Sequence, residues 1–111
     1  MSSFAVAHLR SITMGPDIAD YLARIDATLE PYSGHFVVHG STVETLEGTW
    51  TGDLVVVEFP NRDRARAWYA SPAYQQIVRL RTDNSDGSVI LVDGVTEPHR
   101  ATDILLPSQP P

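Results

Sequence analysis

The sequence predicts an α+β fold in which one antiparallel sheet of four strands carries its helices on one face. Two observations predict this fold. Short apolar runs typical of strands and longer segments with helical periodicity alternate along the 111 residues in the order β-α-β-β-α-β. In addition, residues 54–59 form a strand that is apolar on both faces and leads directly into a helix that is interrupted and restarted at Ser71-Pro72.

The first half of the chain predicts a strand, a helix and a second strand. Pro16 lies near the start of the predicted helix, and Pro31 with Gly34 ends it. Residues 35–39 form the second predicted strand, and residues 43–47 are interpreted as its short extension beyond a bulge. The first strand alternates so that one face carries Phe4, Val6, His8, Arg10 and Ile12, and the other carries Ala5, Ala7, Leu9 and Ser11.

The second half predicts two further strands separated by a broken helix. Asn61 is a candidate cap for the helix after the third strand, and Ser71-Pro72 can cap and restart that helix. Residues 83–87 are rich in turn-forming side chains, and residues 88–92 form the last predicted strand. The complete order is the split β-α-β, or ferredoxin-like, arrangement.

Strands that are apolar on both sides indicate that both faces of the sheet are buried. Helices of a ferredoxin-like sheet cover only one face, and a second copy of the same sheet is the economical cover for the other face. We therefore expect a sheet-to-sheet homodimer, a dimeric α/β barrel. The barrel domain is assigned to residues 1–95, and a Pro-rich C-terminal tail to residues 96–111.

Composition and motifs exclude several classes of protein. The formal net charge is −6, and the eight arginines are interspersed with acidic residues, which opposes a nucleic-acid partner. The chain has no cysteine and no lysine, which removes disulfides, Cys-ligated zinc and Schiff-base chemistry. No apolar run approaches the roughly 20 residues of a membrane helix, and no signal peptide or cofactor fingerprint is recognisable. We expect a cytoplasmic protein without a membrane partner, a bound metal or a cofactor.

Several segments together resemble a known family. They are the strand bounded by glycines at residues 34–40, the segment 43–48, the strand end at residues 56–60, and the Trp-Tyr-x-Ser-Pro-x-Tyr run at residues 68–74. This combination resembles domain-of-unknown-function family 1330 over residues 4–95. The resemblance implies the dimeric α/β-barrel superfamily, which includes cofactor-free monooxygenases, haem-degrading enzymes, muconolactone-type isomerases and stress-responsive barrels. Analogy at the level of the fold indicates no particular reaction.

Four polar residues are candidates for a catalytic site. If the first and third strands are neighbours and run in the same direction, Arg10, Glu58 and His35 lie near one end of the sheet, with His8 one pleat inward. A carboxylate, an arginine and two imidazoles at one place would form a proton-transfer site. The alternative interpretation is a structural ion pair between Glu58 and Arg10.

Aromatic residues of the broken helix are candidates for ligand binding. Trp68, Tyr69 and Tyr74 can line a cleft between the helix and the sheet. Trp68 and Tyr69 also lie on the apolar stripe, so packing in the core is the alternative. Tyr74, just after the restart at Pro72, is placed to put its hydroxyl at the entrance of a pocket.

Two arginines near the end of the helical region are candidates for anion binding. Arg79, together with Arg81, can bind a carboxylate. The alternative is that these arginines form solvated pairs with Asp83 and Asp86. Trp50, in the turn before the third strand, is expected to contact the partner of the dimer.

Two hypotheses for function follow. The first is a homodimeric barrel that binds a small apolar or carboxylate metabolite, with cofactor-independent acid–base chemistry by Glu58 or His8 assisted by Arg10. The second is a non-catalytic structural or interaction dimer without a ligand pocket. An enclosed cavity between helices and sheet distinguishes the first hypothesis from the second.

Overall fold

A computed structural model describes residues 1–106 of the chain. Its four strands form a single antiparallel sheet, and its helices pack on one face of that sheet. This architecture confirms the predicted α+β, ferredoxin-like fold. Along the chain the elements are β1 (Ser3–Ile12), α1 (Pro16–Leu29), a 3-10 turn (Glu30–Tyr32), β2 (His35–Val38), β3 (Asp53–Phe59), α2 (Arg62–Ala70), α3 (Pro72–Gln75), α4 (Val78–Thr82), β4 (Ser85–Asp93) and a second 3-10 turn (Ala101–Leu105).

The sheet has the strand order β2-β3-β1-β4, and β1 and β3 are antiparallel. The expectation that these two strands run in the same direction is therefore wrong. The helical crossover through α1 makes β1 and β2 parallel to each other, while β2 and β3 are antiparallel neighbours. β3 lies between β1 and β2 and is antiparallel to both. The register pairs Phe4 with Glu58 and Leu9 with Asp53.

The core lies between the helices and the face of the sheet that carries Ala5, Leu9, Val57 and Phe59. Successive residues of a strand point to opposite sides, so Ala5 and Leu9 of β1 share one face, as predicted. Val57 and Phe59 of β3 lie on the same face, since Val57 pairs with Ala5. Phe59 is completely enclosed and packs on Trp68, with 5.5 Å between ring centroids. The helices contribute Tyr21, Ile25, Leu29, Ala65, Trp68, Tyr74, Ile77 and Val78 to this core.

Three local predictions are wrong. Residues 43–47 belong to an irregular connection between β2 and β3 instead of a strand extension. β4 begins at Ser85, within the predicted turn, because its ladder with β1 extends to the pair Ile12–Ser85. The register shifts between Leu9 and Ser11, and this bulge turns Ile12 to the helix side of the sheet.

The predicted break in the second helical region is confirmed. Ser71 Oγ donates a hydrogen bond of 2.7 Å to the carbonyl of Trp68, which ends α2. The same oxygen accepts a hydrogen bond of 3.2 Å from the amide of Tyr74, which caps α3. Asn61 caps α2 as predicted, since its side-chain oxygen accepts from the amide of Arg64 at 2.9 Å. Ser71 therefore fixes the direction in which Tyr74 enters the core.

Ser71→Ala is expected to lower the free energy of unfolding by about 1–2 kcal/mol, because it removes a helix cap whose hydroxyl is buried. Urea unfolding followed by circular dichroism measures the change. Ser41→Ala, in the exposed connection between β2 and β3, serves as the control and is expected to change the free energy by less than about 0.5 kcal/mol. Equal stability of the two variants would contradict the cap assignment.

The opposite face of the sheet, here called the open face, is also apolar. At its centre lie Phe4, Val6, Leu54, Val56, Ile90 and Val92. Ile90 is 56% exposed and Val92 is 42% exposed. The prediction that the strands are apolar on both sides is confirmed, and in the protomer the open face is not covered by a helix of residues 1–106.

The predicted tail begins with an ordered segment. After β4 the chain passes through Val95 to the 3-10 turn at Ala101–Leu105, where Ile104 is 81% exposed and Leu105 is 79% exposed. Residues 107–111 of the tail lie outside the described residues. Within residues 1–106, each helix is too short or too polar to span a membrane.

Candidate functional site

A cavity of about 350 Å³ lies between the helices and the helix-facing side of the sheet. Its floor is formed by β1 and β3 and includes Ala5, Ala7, Val55 and Val57. Ala5 and Ala7 on β1, one of the two central strands, leave space beneath the helices that larger side chains would fill. Apolar residues of α1 and the neighbouring strands complete the wall, and they include Ile18, Leu22, Ile25 and Phe36.

Three polar side chains from three different helices meet at the buried wall of the cavity. They are Tyr21 of α1, Tyr74 of α3 and Arg81 of α4, with exposures of 7%, 2% and 8%. The hydroxyls of Tyr21 and Tyr74 share a hydrogen bond of 2.8 Å. The guanidinium carbon of Arg81 lies 5.9 Å from the centre of the Tyr21 ring, within the range of a cation–π contact. This group is called the Tyr–Arg cluster below.

The Tyr–Arg cluster carries a positive charge at neutral pH. Burial, reinforced by the neighbouring Tyr74, raises the pKa of Tyr21 well above its usual range, so that this phenol stays protonated. Burial by itself lowers the pKa of Arg81, but the nearby Tyr74 and Tyr21 oxygens raise it above its ordinary value on balance. No carboxylate of residues 1–106 forms an ion pair with Arg81.

The entrance of the cavity is lined by exposed residues. Met14 is 68% exposed and Leu22 is 42% exposed. His39 and Asp53 are the other ionisable residues on the cavity wall, and both are exposed. The His39 ring stacks on Phe36, with 4.4 Å between centroids. A ligand would therefore pass a partly polar entrance before it reaches an apolar interior and the Tyr–Arg cluster.

The four predicted catalytic residues lie on the open face instead of in the cavity, and they do not converge. His35 Nε2 donates to Glu58 Oε1 at 3.1 Å near one end of the open face. Arg10 lies toward the other end, where Nε and Nη2 donate to the two oxygens of Asp86 at 3.0 and 3.1 Å. The expected pair between Arg10 and Glu58 is therefore wrong. The antiparallel arrangement of β1 and β3 places these residues at opposite ends.

His8 has a different neighbourhood from either pair. Its Nε2 donates to the carbonyl of Thr51 at 2.8 Å, and its ring stacks on Trp50, with 4.0 Å between centroids.

The hydrogen bonds between Arg10 and Asp86 lower the pKa of the Asp86 carboxyl and raise the pKa of Arg10. Both pairs and the stacked imidazole are consistent with structural roles at the margin of the open face. Among the described residues, no group of three or more His, Asp or Glu side chains could hold a metal ion.

The predicted ligand-binding residues are divided between the cavity and the surface. Trp68 and Tyr74 line the cavity, but Tyr74 is buried at its inner wall, so the prediction that its hydroxyl lies at the entrance is wrong. Tyr69 is 38% exposed and contacts the edge of Trp68, with 6.1 Å between centroids. The side chain of Arg79 is 82% exposed and lies 3.4 Å from Asp83, as the solvated-pair alternative predicts.

Sequence analysis did not identify Tyr21 as a site residue and did not separate Arg81 from Arg79. The signal for Arg81 was present, because it follows the buried Val78 by three residues and so lies on the buried stripe of α4. An arginine on an apolar stripe needs a buried polar partner or a ligand. Asp86, its alternative partner in the sequence interpretation, pairs with Arg10.

Comparison with protein families gives one match. A family model described as "Domain of unknown function (DUF1330)" matches residues 2–95. A search of the curated proteins found no match.

Solved structures share the fold at low sequence identity. Methylated RPA0582, a protein of unknown function from Rhodopseudomonas palustris, is 18% identical, with a TM-score of 0.65 over 88% of this chain and 84% of its own. A variant of SnoaB, a cofactor-independent oxygenase from Streptomyces nogalater, is 18% identical, with a TM-score of 0.59 over 88% of this chain and 98% of its own. A dimeric ferredoxin-like protein of unknown function from Jannaschia sp. CCS1 is 10% identical, with a TM-score of 0.54 over 85% of this chain and 100% of its own.

Proposed function

The chain belongs to the DUF1330 family of unknown function, and from this premise we propose that it binds a small, largely apolar molecule in the cavity between sheet and helices. The observation that carries the proposal is the cavity itself. Its volume of about 350 Å³ is within the range of small-molecule sites, and its wall is apolar except for a few convergent polar groups. Of the predicted ligand-binding residues, Trp68 and Tyr74 are proposed as ligand contacts.

Acid–base chemistry on the bound molecule is a second candidate function. Paired hydroxyls beside a buried cation, as in the Tyr–Arg cluster, can stabilise negative charge that develops on an oxygen of a ligand. SnoaB, which has the same fold, is a cofactor-independent oxygenase, so the fold supports chemistry without a cofactor. We propose no catalytic role for Glu58, His8, Arg10 and His35, because they lie on the face of the sheet away from the cavity.

We also propose that the open face is covered by a second copy of the chain. An apolar centre bordered by Glu58–His35 at one end and Arg10–Asp86 at the other has the anatomy of an interface core with a polar rim. The Jannaschia protein, which shares the fold, is dimeric. The protomer also has a radius of gyration of 15.8 Å, whereas a folded domain of this length is expected near about 13 Å. Such an excess is consistent with segments that project to contact a partner.

The binding proposal is tested with neutral aromatic probes, naphthalene and 2-naphthamide, by titration followed by NMR. Saturable shifts confined to cavity-lining residues are expected. Ala7→Phe, which places a ring in the floor of the cavity, is expected to weaken binding at least about tenfold, because a filled cavity excludes the probe. Ala67→Phe, at an exposed position of α2, is the matched control and is expected to bind normally. Absence of saturable binding to the folded protein, or equal binding by both variants, would overturn the proposal.

A further inference from the structure

We propose that the Tyr–Arg cluster is an anion anchor, and that the molecule bound in the cavity is an apolar monocarboxylate whose carboxylate contacts Arg81. This inference rests on the proposed binding function and specifies the chemistry of the ligand. It assigns Arg81 as the residue that decides charge selectivity, with Tyr21 and Tyr74 completing the contact.

The first argument comes from the charge of Arg81. Arg81 is only 8% exposed, yet no acidic residue of the described chain forms an ion pair with it. An arginine is charged at all relevant pH values, and a buried charge is costly unless a counter-charge and hydrogen bonds compensate it. The cation–π contact with Tyr21 and the nearby phenolic oxygens of Tyr21 and Tyr74 supply part of this compensation, but they bring no full counter-charge. A ligand carboxylate in the cavity would supply the rest.

The second argument comes from a count of donors and acceptors. Each phenol of the Tyr21–Tyr74 pair has one O–H, and only one of these protons lies in their shared hydrogen bond. The second phenolic proton has no further acceptor among residues 1–106. The guanidinium interacts with the Tyr21 and Tyr74 oxygens, but it has more N–H donors than these two oxygens can satisfy. Tyr21, Tyr74 and Arg81 all line the cavity, so a bound molecule can reach the Tyr–Arg cluster. A group that only accepts hydrogen bonds complements such a site, and a carboxylate is such a group.

The remaining cavity wall defines the rest of the ligand. The groups between the Tyr–Arg cluster and the entrance are apolar, and they require an apolar or aromatic body next to the carboxylate. The other ionisable residues on the wall are Asp53 and His39, both exposed. The carboxylate of Asp53 would repel a second acidic group on the ligand, which favours a monoanion over a dianion.

The test compares two probes of the same shape, 2-naphthoate and 2-naphthamide, by isothermal titration calorimetry at pH 7. We expect the wild-type protein to bind naphthoate at least about tenfold more tightly than the amide. Arg81→Gln is expected to remove that preference and leave the affinity for the amide within about twofold. Arg79→Gln, the same change at a side chain that is 82% exposed, is the matched control and should keep the preference.

A second measurement uses the wild-type protein, so it does not depend on folding of the variant. Naphthoate is expected to shift the ¹⁵Nε resonance of Arg81 more strongly than the amide does, because only the carboxylate adds an ionic hydrogen bond to the guanidinium. Equal affinities of the two probes, or an unchanged preference in Arg81→Gln, would overturn the anion anchor and leave the binding function intact. Failure of both probes to bind would instead overturn the binding function on which the inference rests.

Discussion

Ile90→Arg is expected to convert the proposed dimer into protomers. Ile90 pairs with Val6 at the centre of the open face and is 56% exposed in the protomer. In a symmetric sheet-to-sheet contact each substitution occurs twice, so two guanidinium groups would be buried among apolar side chains. At about 3 kcal/mol for each uncompensated charge, the two charges together would weaken the dimer about 10,000-fold. Sedimentation velocity at micromolar concentration measures the loss.

Ala67→Arg is the matched control for this experiment. It adds the same charge at an exposed position of α2, on the helix side of the sheet, and is expected to leave the dimer unchanged. A wild-type protein that sediments as a folded protomer, or an Ile90→Arg variant that remains dimeric, would refute the sheet-to-sheet arrangement. The cavity lies on the other side of the sheet, so the binding proposal can be judged separately.

Phe59→Ala is expected to lower the free energy of unfolding by about 3–5 kcal/mol, close to the largest effect of a single truncation in a core. Phe59 is completely enclosed and packs on Trp68. Its ring also lies so close to Gly34 that a Cβ there would approach Phe59 Cε1 to 2.5 Å. Removing the ring therefore leaves a void between β3, α2 and the glycine that precedes β2, which the surrounding backbone cannot close.

Urea unfolding at a fixed protomer concentration measures this effect, because association of the proposed dimer would also contribute to the observed stability. Leu46→Ala is the control, since Leu46 is 87% exposed, and its change is expected to stay within about 0.5 kcal/mol. A loss below about 1.5 kcal/mol for Phe59→Ala would mean that the core repacks around the missing ring, contrary to the packing described above.

Much of the fold could be predicted from the sequence because its determinants are local. The break at Ser71-Pro72 depends on one hydroxyl that bonds to groups three residues away on either side. The start of α1 at Pro16 and the apolar alternation in β1 and β3 are likewise set within a few residues. The predicted ends of the strands were less accurate where pairing with a neighbouring strand determines how far a strand extends. β4 extends back to Ser85 because Ile12 of β1 is there to pair with it.

The candidate site was predicted only in part because its members are distant in sequence. Trp68 and Tyr74 could be identified from their position near the broken helix, but Tyr21 meets Tyr74 across 53 positions of the chain. Neither periodicity nor spacing reports such a contact. The wrong expectation that Arg10 and Glu58 lie together has the same origin, since the direction of β3 relative to β1 decides whether they share one end of the sheet.

By itself the sequence determined which segments form strands and helices, and that the sheet is apolar on both faces. Hydrogen bonds of caps and the two-residue period of strands act over short distances, so the order of residues specifies them. Only the tertiary structure decided that Ala5 and Ala7 leave a cavity, and that Arg81 joins Tyr21 and Tyr74 at its wall. These features depend on how α1, α3 and α4 are positioned over the sheet, which is settled by long-range packing.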